Sequence, residues 1–309
     1  MRVLFYGTPA FALPTLHALL ARHQVVAVVT QPDRPAGRGQ RSQASPVKAV
    51  ATEHGVRVLQ PARLRDAGWP ERLAEPGADV AVVVAFGQIL PQAVLDVPAR
   101  GSINVHASLL PRYRGAAPVA WAIIRGERET GITTFQMDAG MDTGPMLVQR
   151  ATPIGPDETG GELAERLARL GAAVLLETLD GLDSLTPRVQ DSRAATVAPR
   201  LRKEDGVLDW TESAAALAAR IRGLNPWPGA TTQGSGGRLL IWRARVIAGL
   251  GEPGVLAMAG GRLAIGTGAG LLEPLEVQPE NRRAMGWADY LRGARLGAGA
   301  LLGATAPHA

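Results

Sequence analysis

The sequence predicts an α/β protein: a mostly parallel sheet with helices on both faces over residues 1–188, then a smaller β-barrel over 206–309. Three observations carry this. Strand-like and helix-like runs alternate from Arg2 to Leu182, the pattern of crossover connections between parallel strands. The stretch Gln190–Asp205 is polar, carries Pro199 and has no clear period, so residues 189–205 read as a linker. Beyond it, short strand-like runs are separated by Gly-rich turns.

In order, Arg2–Tyr6 is strand-like and leads through Gly7-Thr8-Pro9 into a helical pattern near Phe11–Ala21. Val25–Thr30 is a β-branched run. Ser45–Gly55 reads as a helix, with Ser45 at the N-cap and Pro46 in the first turn. Val56–Leu59, Asp79–Phe86 and Ser102–His106 are further strands, followed by a helix near Pro118–Arg125 and a strand at Ile132–Met137. A longer helix spans Thr159–Leu182. After the linker come a short helix at Ser213–Arg222 and strands at Ala230–Gln233, Leu239–Ile247, Gly254–Met258, Arg262–Gly266 and Leu271–Val277. Met285–Arg295 is read as a last helix and Gly303–Ala309 as a loose tail. Trp227 and Trp242, single aromatics among apolar strands, are expected in the core.

Composition narrows the chemistry. There is no Cys, which excludes thiolate nucleophiles, disulfides and Cys-ligated zinc. The five His are scattered, without metal-ligand spacing. The longest apolar run, Val80–Phe86, is far short of the ~18 residues of a membrane span, and Met1–Gly7 runs straight into a strand rather than a signal peptide. A cytoplasmic protein and a monomer are expected. The net charge of +5 comes almost entirely from Arg and is compatible with an anionic partner without demanding one. Gly7-Thr8-Pro9 is neither a dinucleotide fingerprint nor a P-loop, so no nucleotide cofactor is expected.

The most informative stretch is Ser102–Gly115. Side chains two apart on a strand share a face, so Asn104 and His106 point the same way at the end of a strand. A neutral amide beside a group that can give or take a proton suits a developing oxyanion. Downstream, Met137-Asp138-Ala139-Gly140-Met141-Asp142-Thr143-Gly144 follows a strand, and its glycines allow a tight loop. Asp142 is then placed to reach His106, where an ionised carboxylate favours the imidazolium. Asp138 reads as an Asx-type turn residue.

The segment Asp33–Lys48 carries Arg34, Arg38, Arg41 and Lys48 against one acid, Asp33, a net charge of +3. Its prolines and glycines argue against a packed element. On charge alone it is a solvated loop or an arm for an anionic partner. Arg188, Arg193, Arg200, Arg202 and Lys203 add charge in or beside the linker.

Asn-x-His, then Ser-Leu-Leu-Pro-x-x-x-Gly, then Asp-x-Gly-x-Asp-Thr-Gly resembles the folate-dependent formyltransferase family. Gly7-Thr8-Pro9, Gln31–Gly39, Ser45-Pro46-Val47-Lys48, Gly115-Ala116-Ala117-Pro118 and Asn225-Pro226-Trp227-Pro228 extend the resemblance over nearly the whole chain, toward a branch that acts on tRNA. The resemblance implies a Rossmann-like catalytic domain over 1–188 and an OB-like, tRNA-binding barrel over 206–309. It implies Asn104, His106 and Asp142 as the catalytic set and Ser108, Leu109, Leu110 and Pro111 as the folate-binding segment. It also implies that Arg34, Arg38, Arg41 and Lys48 contact tRNA, Arg38 and Arg41 foremost. The implied co-substrate is 10-formyltetrahydrofolate, without metal or nucleotide. Tetrahydrofolate leaves, and the acceptor is the α-amino group of methionine on initiator tRNA. Two alternatives stay open: a small-molecule or water acceptor at the same site, and an RNA-binding protein without the chemistry.

Overall fold

A computed structural model describes residues 1–36 and 41–303. The chain forms two compact units. One comprises Met1–Pro118, Thr130–Pro153 and Ala164–Ala198; the other comprises Val119–Glu129, Ile154–Leu163 and the chain from Pro199 on.

In the first unit the strands are β1 (Arg2–Gly7), β2 (Gln24–Val29), β3 (Arg34–Ala36), β4 (Arg41–Gln43), β5 (Val58–Leu59), β6 (Val80–Val84), β7 (Ser102–His106), β8 (Arg114–Gly115), β9 (Glu129–Gln136), β10 (Met146–Pro153) and β11 (Val197–Ala198). Among the described residues, seven make one sheet in the order β10-β9-β7-β6-β1-β2-β5. From β7 to β5 the pairs are parallel, and β9 runs antiparallel to β7. The expected mostly parallel sheet is therefore present, with β10, absent from the sequence reading, on its far edge.

Burial explains the centre. β6, Val-Ala-Val-Val-Val, is buried at every position, and each of its Val side chains contributes about 1.5–3 kcal/mol on leaving water. Leu4, Tyr6, Ala81 and Val83 pack on one face with Leu73 of α3 (Trp69–Ala74) and Val94 of α4 (Gln92–Leu95). The Tyr6 hydroxyl is buried there without a partner among the described residues, and burial pushes its pKa up. Two earlier helices, α1 (Leu13–Arg22) and α2 (Pro46–Glu53), pack on each other. As expected, Ser45 caps α2, accepting from the Lys48 N–H at 3.0 Å, with Pro46 at the first helical position. Later come α5 (Pro118–Ile124) and α6 (Gly160–Asp180). Gly171 of α6 sits where a Cβ would lie 3.0 Å from Val105 Cγ1, so this helix comes close to β7.

The basic segment is not wholly irregular. β3 and β4 pair antiparallel, with Arg34 opposite Gln43 and Ala36 opposite Arg41. A short ribbon accommodates Pro35 because an isolated strand pair always has a free edge. Lys48 then lies in α2.

In the second unit, α7 (Ala214–Gly223) is capped by Ser213 and precedes β12 (Ala230–Gly234), β13 (Gly237–Ile247), β14 (Leu256–Ala259), β15 (Arg262–Gly266), β16 (Leu271–Pro279), β17 (Met285–Gly286) and α8 (Trp287–Ala294). The sheet order is β12-β13-β16-β15-β14, and all its pairs are antiparallel. Register shifts in β13 around Arg243 mark a bend, as bulges do. Ala230, Ile241, Leu256, Ile265 and Leu272 meet Leu217 of α7 and Trp287 of α8 in one core. The two edge strands are joined by the chain end: Leu302 N–H donates to Gly254 O at 2.8 Å, and Gly303 N–H donates to Gln233 O at 2.9 Å. This bridging closes the sheet as a small barrel. Gly303, expected to begin a loose tail, is thus tied down; residues 304–309 lie outside the described residues.

Trp227 corrects the expectation of burial: it is 53% exposed. It lies in the turn between α7 and β12, where no strand covers it. Trp242 is half-buried over Gly229, its Nε1–H donating to Gln278 Oε1 at 3.0 Å.

Candidate active site

The C-terminal ends of β1, β6 and β7 gather at one edge of the parallel sheet, where open α/β sheets place ligands. Thr8, after β1, donates its hydroxyl to Phe86 O beyond β6 at 3.0 Å.

On β7 the alternation holds. Val105 faces α6, as does Thr134 of β9, whose hydroxyl lies 2.7 Å from that of Thr178 in the same helix. Asn104 and His106 therefore share the opposite face, paired with Phe135 and Thr133 of β9. Among the described residues the Asn104 amide meets only the Met137 sulfur at 4.0 Å, a weak acceptor, so its N–H donors are nearly uncommitted there. His106 is buried, its ring edge-on to Phe135 with centroids 6.5 Å apart.

The sequence-predicted partner of His106 is in place. Asp142 Oδ2 lies 3.6 Å from His106 Nδ1, with the two side chains 16% and 7% exposed. His106 Nε2 is 2.9 Å from Tyr113 O. A carbonyl only accepts, so Nε2 carries the hydrogen and Nδ1 is the ring atom left for a second proton. Asp142 is held from several sides. Its Oδ2 accepts from Gly115 N–H at 2.8 Å, and its own carbonyl accepts from the Gln190 amide at 2.9 Å. It adopts φ 56°, a left-handed conformation that Asp tolerates better than most residues. Asp138 shapes the loop as expected: its Oδ1 accepts from Gly140 N–H and from the Thr143 hydroxyl.

Gln190 was missed by the sequence reading. It is buried, donates to Asp142 O and to Gly144 O, and accepts from the Arg114 guanidinium at 2.7 Å. Within 189–205, the interval read as a linker, Val197–Ala198 also pairs parallel with β8, and Thr196 Oγ1 accepts from Tyr113 N–H. Glycine is required at 115, where a Cβ would lie 2.8 Å from Ala198 O. No periodic signal marks these residues in the sequence.

The turn after β7 is built from the inside. The Ser108 side chain is buried and donates to Arg112 O at 2.6 Å, so it shapes the turn. Leu110 is buried against Phe135 and Met146. Its N–H donates to Thr133 Oγ1, and its carbonyl accepts from the Gln149 amide. Leu109 and Pro111 are the half-buried members of the segment.

The basic residues are less uniform than their charges. Lys48 Nζ pairs with Asp33 at 2.6 Å, and Gln60 donates to the other oxygen. The Lys48 and Gln60 hydrogen bonds hold the Asp33 carboxyl below its usual range. Lys48 therefore anchors the base of the ribbon. Arg34 is exposed, near Gln31. Arg41 pairs through its backbone in β4. Arg38 lies outside the described residues.

The pattern of formyl transferases matches residues 1–179, and that of the formyl transferase C-terminal domain matches 200–295. A methionyl-tRNA formyltransferase of Geobacter sulfurreducens is 50% identical over 307 residues, covering 98% of this chain and 97% of that one. One of Thermus thermophilus is also 50% identical, over 304 residues, covering 98% and 99%. Among solved structures, the sugar 3N-formyl transferase WlaRD, crystallised with dTDP and 5-N-formyl-THF, superposes with a TM-score of 0.66 at 16% identity, covering 92% of this chain and 99% of that one; this is a likeness of fold. The chain belongs to the folate-dependent formyl transferase family, in the branch of the methionyl-tRNA formyltransferases.

Proposed function

We infer that the protein transfers the formyl group of 10-formyltetrahydrofolate to the α-amino group of methionine on initiator tRNA, giving the N-formylmethionyl-tRNA used to start translation. The observation that carries this is full-length identity of about 50% to methionyl-tRNA formyltransferases, joined to the grouping of Asn104, His106 and Asp142.

In the proposed reaction the amine lone pair attacks the formyl carbon and the carbonyl π pair moves onto oxygen. Asn104 donates an amide N–H to that developing oxyanion, having no strong acceptor among the described residues. The attacking nitrogen must lose a proton. His106 Nδ1 is the ring nitrogen not tied to the backbone, so it takes that proton directly or through water. Asp142 stabilises the resulting imidazolium, whose charge also favours the oxyanion. Collapse breaks the bond from carbon to N10, the imidazolium returns its proton to N10 directly or through water, and tetrahydrofolate leaves with His106 neutral again. Leu109, Leu110 and Pro111, on the turn that Ser108 and Thr133 brace, form the folate segment. The assignment keeps residues 1–188 as the catalytic part, 189–205 as the connection and 206–309 as the tRNA-binding barrel. Arg34, Arg38 and Arg41 act as an arm toward tRNA, with Lys48 bracing its base.

The test is an acceptor panel. With 10-formyltetrahydrofolate as donor, methionyl-initiator tRNA is expected to be formylated, and amino sugars, glycinamide ribonucleotide and water are not. Formylation of a small amine but not of methionyl-tRNA overturns the reading. Phosphate contacts release counterions, so KM for tRNA should rise steeply with salt, with a log–log slope of ~0.7–0.9 per contact. KM for the folate should respond much less. A flat tRNA profile argues against the basic arm.

A further inference from the structure

Trp227 lines a groove of about 700 Å³ in the second unit, together with Trp121, Pro199, Arg200, Arg202 and Asp205. Trp121, on α5, donates its Nε1–H to Pro199 O at 2.8 Å, which fixes its indole. Arg125 stacks on the same indole, 5.4 Å from the ring centroid. Trp227 contributes a second, half-exposed indole. Arg200 is exposed and makes no hydrogen bond or ion pair among the described residues. The one acid, Asp205, accepts from the Arg202 backbone N–H at 2.6 Å.

An exposed indole and a guanidinium without an acceptor among the described residues line the same groove. Large aromatics left in water forgo their burial energy, and an Arg with no acidic partner leaves a positive charge unanswered. Single-stranded nucleic acid supplies both missing partners: bases stack on aromatic faces of any sequence, and phosphates meet Arg. A duplex offers no unstacked base.

We propose that this groove binds one unpaired nucleotide of the tRNA, its base stacked on the Trp227 indole and its phosphate on the Arg200 guanidinium. This rests on the reading of tRNA as the acceptor above. Trp121 forms the fixed wall of the groove and Trp227 the stacking face.

The test uses the full-length enzyme in steady-state formylation of methionyl-tRNA, with Trp227→Ala, Trp227→Phe and Arg200→Ala. Trp227→Ala should raise KM for methionyl-tRNA about tenfold or more, the loss expected for one stacked base. KM for 10-formyltetrahydrofolate and the thermal unfolding midpoint should not move. Trp227→Phe keeps a ring to stack on and should recover most of the loss. Arg200→Ala, at an exposed side chain, should raise KM for the tRNA and lower its salt slope by about one. An unchanged KM for tRNA in Trp227→Ala, or in Arg200→Ala should Trp227→Ala not fold, overturns the groove. So does a loss that Phe leaves unrestored in a stably folded protein. If the unaltered enzyme formylates no tRNA at all, it is the function assigned above that fails, before any variant is compared.

Discussion

Replacing His106 with Ala should lower kcat for formyl transfer by ~10²–10⁴-fold, the range of a positioned acid–base group. Both ring nitrogens are engaged in the folded protein, Nε2 with Tyr113 O and Nδ1 facing Asp142, so the ring has one orientation and one atom free to exchange a proton. Asp142→Asn is the sharper variant. It retains an oxygen for Gly115 N–H, and so the loop, but removes the negative charge that stabilises the imidazolium. A fall of about 10²-fold is expected for it on the same grounds. KM for methionyl-tRNA should stay within about threefold for both, because neither side chain is in the basic arm. Single-turnover formylation with saturating tRNA reads the chemical step directly. Undiminished turnover in His106→Ala would remove the ring from the mechanism, and undiminished turnover in Asp142→Asn would leave Asp142 a purely structural role.

Gly144→Ala should do comparable damage by another route. A Cβ at 144 would lie 1.8 Å from Gln136 O, and this obstacle is backbone at the end of β9, not a movable side chain. Overpacking of this kind costs about 1–3 kcal/mol, and here the upper end applies. The strain falls on the loop that presents Asp142, whose neighbour Gly144 O is held by Gln190. A displacement of about 1 Å at a reacting group can cost ~10²-fold, so kcat should fall along with the unfolding midpoint. Gly293→Ala is the control: nothing lies within 4 Å of a Cβ there, and Ala favours α8 by up to about 1 kcal/mol. Equal behaviour of the two variants would mean that crowding at Gln136 is relieved without cost.

Which parts were legible in the sequence follows from the range of the interactions. Asn104 and His106 were legible because strand alternation is local and β7 keeps it to its last residue. Asp142 was legible only together with them, as the acid in a Gly-bracketed loop. Gln190 was not, because its partners lie 46 and 48 residues away and its neighbours show no period. β10 was missed because its burial fades along its length, from Met146 and Leu147 to exposed Arg150 and Ala151, and no alternation survives. The ribbon of β3 and β4 was hidden because the prolines and glycines of the segment read as breakers of regular structure. Trp227 misled because its apolar context describes the strands beside it in sequence, and the turn it occupies is left uncovered in space. The barrel closes through Leu302 and Gly303, whose backbone contacts give no side-chain signal.

Gln190, Thr196 and Ala198 fall in the gap between the two segments that match the formyl transferase patterns, 1–179 and 200–295. Yet these three hold the Asp142 loop, Tyr113 and Gly115. The boundary between modules, drawn by recurrence, is therefore not a boundary for the chemistry. A fragment cut at 179 would retain every strand of the large sheet together with Asn104, His106 and Asp142, yet lose the clasp that sets the last two. An insertion between 190 and 198 would change the reach of that clasp, so this interval has little freedom to vary in length.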